Sequence, residues 1–382
     1  MVLLLAATVI FIYGMLASML GTVVPGLAVR LGLSNVQIGY LALAQGLGLA
    51  ATSVVAGAIM DRGTKKIGMV FGLCASILGL ILLSSSNQLW PCIVAMAVLG
   101  CGGSLVIVGS NALAAEVRDE RKGTALNVLN VFVGLGGLAT PFVAGNLLGA
   151  DVKKITFCGI GICVLALVLT FLTRISPKNA APGPARDASV FRDPTLYVLS
   201  LITFFYTACE FAMWNWLPKY LIANGMPSVT ALNILSLGFA CGILVGRLIA
   251  ARVLVNVAPL PTTLVSALFM AITSLVMLNI TTVFGVAAIV FLTGLSMAPV
   301  FPTTIAIVSA RFKRRAATAI GFAITCGFSG LVVSSPVIGW IAGTDPHGVK
   351  RGLLLIPILS IAIVVVLSLV RPALSRLVPE PA

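Results

Sequence analysis

Apolar stretches of about 20 residues recur from one end of this chain to the other, and each is long enough to cross a hydrocarbon layer roughly 30 Å thick as a helix. A water-soluble fold has no place for them. Of the 382 residues, 59% are apolar and only 9% are charged, against roughly 25% charged in an ordinary globular domain. Lipid is the solvent for such a chain, and backbone exposed to lipid must pair its own polar groups, which for runs of this length selects helices. Reading apolar runs against turns and charges predicts twelve spans near residues 2–26, 36–60, 67–86, 90–115, 123–148, 154–173, 196–222, 229–253, 261–280, 283–309, 316–342 and 352–370. The first run lacks a basic flank and is too long for a signal peptide, so it is expected to be a span.

A net charge of +14 would suit nucleic acid if the basic residues formed one patch. They lie instead in short clusters between spans, where they set orientation, and no nucleic-acid partner is expected. An even number of spans puts both termini on one side. The loops and ends of that side, with Arg62, Lys65, Lys66, Arg121, Arg247, Arg311 and Lys313 among them, hold 18 of the 24 Lys and Arg; the other side holds six, including Arg30, Lys153 and Lys154. This bias predicts a multi-pass inner-membrane protein with both termini cytoplasmic. The Pro- and Ala-rich, charged segment 175–195 reads as a cytoplasmic linker between a bundle over 1–174 and a second over 196–382.

The halves repeat one another. Pro25 and Gly32 match Pro218 and Gly225 at an offset of 193; Gly102 and Ser104 match Gly294 and Ser296 at 192, as the pair Arg121 and Lys122 matches Lys313 and Arg314. The expected fold class is therefore all-α membrane protein, with twelve helices in two pseudo-symmetric bundles of six, the organisation of alternating-access transporters whose solute sits near the midplane. No catalytic constellation and no GxxxxGK[ST] phosphate loop appears, and the only histidine, His347, falls in a loop. The eight cysteines lie in apolar spans without a CxxC pair and read as buried packing thiols. Neither enzymatic activity, a cofactor nor a metal is expected; the expected partners are a small-molecule substrate, the bilayer and, for a monomer, nothing else.

One acid, Glu210, lies in mid-span, while the other nine fall in loops, ends or the linker. A carboxylate at that depth costs at least a few kcal/mol and must face the bundle interior with a partner or a task. Proton coupling, sodium coordination, direct recognition of a polyol or a cation, and a merely structural protonated acid are all open. Helical spacing puts Thr203, Tyr206, Thr207 and Trp214 on its face, with Asn215 and Trp216 to one side. An indole beside hydrogen-bonding groups suits a sugar ring. Trp216, near Pro218 and Lys219, fits an interfacial belt, and Trp214 fits either role. Neutral amides at Gln45, Asn111, Asn127 and Asn130 are candidate cavity lining. Tyr13, Ser18, Thr22, Thr303, Thr325 and Ser329 are weaker candidates or interhelical glue.

After the second span comes GAIMDRGTKK, with Gly57, Asp61, Arg62, Lys65 and Lys66. It resembles the loop signature of the major facilitator superfamily, in which the glycine allows close helix approach and the charges latch one conformation. Thr64 replaces the usual second glycine. In the fifth span GLGGLATPFVAG resembles a glycine and proline motif of the same superfamily. The segments FFYTACEFAMWNWLPKYL and GLSMAPVFPTTIAIVSARF, with SNALAAE and ALNVLNVFVGLGG, resemble the fucose-permease-like sugar branch. That resemblance implies a secondary transporter of a small polar solute, a sugar, coupled to protons or sodium. This branch usually carries acids in helices 1 and 4, yet here helix 1 has none and Glu116 sits at a helix end. Symport and uniport therefore both stay open, as does the rival of a proton-driven multidrug or organic-cation exporter.

Overall fold

Among the described residues of the computed structural model, which are 2–60, 65–114, 122–173, 188–254, 257–312 and 316–375, twelve helical spans follow one another. In the first half they are α1 (Val2–Leu31), α2 (Asn35–Met60), α3 (Lys65–Ser85), α4 (Leu89–Ala114), α5 (Lys122–Asn146) and α6 (Val152–Leu172). The second half has α7 (Pro194–Ala223), α8 (Ser228–Val253), α9 (Pro259–Met277), α10 (Val283–Arg311), α11 (Ala316–Ala342) and α12 (Val349–Leu353 continued by Leu355–Ser375). The linker between the halves falls largely outside the described residues, which resume with a 3₁₀ turn at Ala188–Arg192 and Asp193 capping α7 through the Thr195 N–H.

Predicted and observed spans agree to within a few residues, except that α12 runs on to Ser375 and α1 runs on through Pro25 to Leu31. What stops it is Gly32, whose φ of +62° lets the Leu33 N–H reach back to the Ala28 carbonyl at 3.2 Å. The second half repeats this cap: α7 contains Pro218 and ends before Gly225, with φ of +86° and the Met226 N–H on the Leu221 carbonyl at 3.1 Å. The sequence match of Pro25 and Gly32 to Pro218 and Gly225 is thus a match of helix ends.

Packing repeats with the chain. In the first half α1 packs on α5, α2 on α4 and α3 on α6; in the second α7 packs on α11, α8 on α10 and α9 on α12. Glycines set the closest crossings. A Cβ on Gly48 would strike the Ala97 carbonyl and one on Gly100 the Gln45 carbonyl; their counterparts Gly242 and Gly294, each 194 residues later, would strike Phe291 and Phe239 in the same way. Backbones can approach this closely only where both helices carry small residues. The spatial mate of Gly294 is therefore Gly100, not Gly102 as the sequence offset of 192 implied. The offset is 193 in α1 and still 193 at the first residues of α2 and α8, Asn35 and Ser228, but 194 by Gly48 and Gly242, because α8 takes up one more residue where its Ile234–Ala240 stretch is π-helical.

The halves meet along α1–α7, α2–α11 and α5–α8. Gly21 of α1 packs on the carbonyl of Trp214, its own mate at 193, so the pseudo-two-fold axis passes there. We call the end where α1 begins proximal and the end where it finishes distal. Cross-half hydrogen bonds among the described residues all lie toward the distal end. Asn35 donates to the Gly343 and Asp345 carbonyls, both at 3.0 Å, Asn233 donates to Asn146 Oδ1 at 3.1 Å, and Ser236 donates to the Leu138 carbonyl at 2.7 Å. Glycines repeat this closure too: Gly145 abuts Val229 as Gly339 abuts Asn35. Distally the halves are shut, whereas Asn111, Thr325 and Ser329 are exposed.

The structure departs from the sequence expectation at Trp216 and at two cysteines. Trp216 is fully buried, so it belongs to the interior of the second bundle and not to an interfacial belt. Cys74 and Cys158 are exposed on the peripheral helices α3 and α6, while Cys92, Cys163 and Cys209 are the buried packing thiols expected.

Candidate functional site

Glu210 sits near the middle of α7, and the structure supplies the partner such a carboxylate needs. The Arg247 guanidinium of α8 lies 3.8 Å from Glu210 Oε1, with the two side chains 31% and 15% exposed. Arg247 is six residues before the end of α8, roughly 9 Å along the axis, and its side chain extends inward from there. Arg247 is therefore a site residue and not a loop cation, which leaves 17 of the 18 in the topology set. The overlooked signal was Glu210 itself. A lone acid inside the bundle calls for a base inside another helix, and Arg247 lies well within the predicted eighth span.

Two tyrosines complete the cluster. Tyr206, one turn before Glu210, and Tyr13 from α1 are both buried within electrostatic reach of the pair. The Tyr206 hydroxyl is set close to both charged groups without the geometry of a hydrogen bond, and it has no partner among the described residues. Its ring lies 6.0 Å from that of Phe301 on α10. The cluster thus spans both halves, with Tyr13 from the first and Tyr206, Glu210 and Arg247 from the second. A small cavity adjoins it, lined in part by Tyr13, Ala17, Gln45, Gly103, Phe211 and Leu331. Ala17 is the mate of Glu210 at 193, so the carboxylate has no counterpart across the axis.

The remaining candidates divide. Gln45 lines this cavity and donates its amide to the Leu16 carbonyl at 2.9 Å, so it also ties α2 to α1. Trp214 stacks edge-on against Phe239 at 5.1 Å, and its indole abuts Gly137, which places it in the seam between halves. Asn111 is exposed three residues before the end of α4. Asn127 and Asn130 lie on α5, with their side chains outside the described residues. Thr203 is spent on the Ser200 and Ala323 carbonyls, and Thr303 is fully buried and accepts from Thr263.

In the loop motif, Gly57 is in the last turn of α2, and Asp61 and Arg62 lie outside the described residues. Lys65 opens α3. Lys66 donates to the Phe171 and Thr173 carbonyls at 3.0 and 3.1 Å, putting a cation on the negative end of α6. No group of His, Cys, Asp and Glu among the described residues could hold a metal ion.

Residues 6–335 match the family model of the Major Facilitator Superfamily. The chain belongs to that superfamily. An uncharacterized MFS-type transporter of Yersinia pestis is 23% identical over 92% of both chains. The Escherichia coli 3-(3-hydroxy-phenyl)propionate transporter is 27% identical over 59% of this chain and 58% of its own. Among solved structures, a bacterial homologue of the lysosomal transporter Spinster, in an inward-facing and unoccupied conformation, superposes with a TM-score of 0.82 at 12% identity, covering 100% of this chain and 98% of its own. A D-xylose–proton symporter superposes at 0.81 with 14% identity, over 99% and 97%. The E. coli fucose–proton symporter reaches only 0.64 at 17%, over 96% and 98%. The superfamily expectation is borne out, and the fucose-permease-like branch is not singled out.

Proposed function

We propose that this superfamily member is a secondary transporter that moves a small, hydroxyl-bearing organic solute by alternating access, with Glu210 as its coupling carboxylate. The observation that carries the reading is the Glu210–Arg247 pair, held at 3.8 Å and faced by Tyr13 from the opposite half. A charged cluster shared by two bundles is sensitive to their relative position, so solute and ion binding there can bias one arrangement over the other.

The distal contacts and the exposed proximal polar residues support a conformer open at the proximal end. With the basic loops facing the cytoplasm, that conformer is inward-facing, and 1–174 and 196–382 are the two moving bodies of a monomer that works alone. Names of relatives and neighbours range from D-xylose to a phenolic carboxylate, which supports a polar organic solute and includes the sugar expected from the sequence. The organic-cation exporter is disfavoured, since a cationic solute would meet Arg247 beside Glu210.

Reconstituted into liposomes and assayed with a radiolabelled panel of sugars, sugar acids and cationic dyes, the wild-type protein is expected to concentrate a panel solute down an inward proton or sodium gradient. Glu210→Gln should lose gradient-driven accumulation by about 10-fold or more, the scale of one lost charge interaction, while keeping exchange of solute at equilibrium. Accumulation unchanged in Glu210→Gln would reject it as the coupling group and leave a uniporter. Proton-driven movement of dyes alone would favour the exporter.

A further inference from the structure

Arg247 raises a question that coupling through Glu210 does not answer: why a permanent cation occupies the site at all. Guanidinium cannot be neutralised by losing a proton, so at membrane depth it needs an anion in every state of the cycle. In this conformer its anion is Glu210, but the fit is loose, because 3.8 Å exceeds the roughly 2.7–2.9 Å of a charge-assisted hydrogen bond. The Arg247 side chain is 31% exposed, hence reachable, and the buried, unpartnered Tyr206 hydroxyl faces it. A planar carboxylate entering here would find a bidentate fork and a hydroxyl donor, both unsaturated.

Resting on the transport reading, we propose that the solute is an organic carboxylate that displaces Glu210 from Arg247, and that Glu210 then takes up one proton from the open side. The proton follows from charge. Two carboxylates around one guanidinium would leave a net negative charge in a low-dielectric site, and protonating the displaced carboxylate removes it. Among the described residues, the groups that face Glu210 leave no other compensation. They are Arg247 from α8, Tyr206 from its own helix and Tyr13 from α1. α11 carries no charged residue, and the Lys and Arg of α1, α5, α10 and α12 lie at or near helix ends, at Arg30, Lys122, Arg311, Lys350, Arg351 and Arg371. The carriage is electroneutral, one proton with each monoanion. A sugar acid satisfies this site, and an uncharged sugar leaves Arg247 unused.

The test uses the purified full-length protein with benzoate and gluconate as probes, each against an uncharged counterpart, benzamide and xylose. Binding is read by tryptophan fluorescence and proton uptake by an indicator dye in weak buffer. At least one carboxylate should bind saturably with about one proton taken up per anion, and its uncharged counterpart should not bind. Glu210→Gln should bind the same carboxylate about 10-fold tighter, its internal competitor gone, with no proton uptake; Arg247→Gln should lose at least 10-fold, and Arg247→Lys should recover part of it. Equal binding of the uncharged counterparts, undiminished affinity in Arg247→Gln, binding without proton uptake, or no binding of either carboxylate would each overturn the proposal. Transport itself is scored separately in liposomes: uptake of xylose insensitive to Arg247→Gln would sink the carboxylate and leave the transporter standing.

Discussion

Gly21→Ala is expected to stop transport while leaving the fold intact. The added methyl would strike the Trp214 carbonyl well inside contact distance, and that carbonyl belongs to the other half of the molecule. Neither bundle needs this contact to fold, since α1 packs within its own half on α4, α5 and α6. Only the distally closed arrangement is forbidden. Overpacking of this kind costs about 1–3 kcal/mol, enough to lower the population of that conformer by about 5- to 150-fold. Labelling of a cysteine placed at Asn35, at present 3% exposed, should become fast in Gly21→Ala, with the thermal midpoint nearly unchanged. Slow labelling together with normal uptake would mean that the α1–α7 seam is not part of the cycle.

Gly48→Leu should do the reverse. The backbone it would strike, at Ala97 and Cys101 on α4, lies within the same bundle, and Gly100 makes the reciprocal contact on Gln45 and Leu49. No relative movement of the halves relieves this clash. The crossing must spread, and with it the packing of α2 on α4, at about 3 kcal/mol or more. We expect a large fall in the thermal midpoint of the detergent-solubilised protein and little material surviving extraction. Gly242→Leu, at the equivalent place in the second half, should behave the same. If either variant keeps wild-type stability, the glycine crossings are not what holds the bundles together.

These two glycines also mark what the sequence could and could not reveal. Span number and order follow from run length alone, because a helix in lipid must satisfy its backbone and cover about 30 Å. The repeat was visible in Pro25 and Gly32 against Pro218 and Gly225, which turn out to be matching helix ends. Further on the register differs, because one residue is added within the π-helical stretch of α8, and the match of Gly102 to Gly294 at 192 joined residues that are not spatial mates. Glu210 stood out because a single acid in an apolar span is costly wherever it points. Arg247 did not, because a base six residues from a helix end is also what an orientation signal looks like; only the lone acid's need for a counterion separates the two. Tyr13 was one hydroxyl among many in sequence. Its place opposite Glu210 depends on how α1 crosses α7, which composition does not encode. Trp216, next to a proline and a lysine, has the local pattern of a belt residue and is buried because α7 is an inner helix of its bundle.

Alternating access is the claim on which the rest depends, and paired distances across the two ends test it most directly. Spin labels at Val29 and Trp340 would report the distal end, and labels at Ile67 and Leu369 the proximal end; all four side chains are exposed, and each pair joins the two halves. In liposomes each pair should show two distance populations, with the short distal distance accompanying the long proximal one, and a change of pH or solute should shift them in opposite senses. A single distance at each end, or two ends that open and close together, would contradict the account.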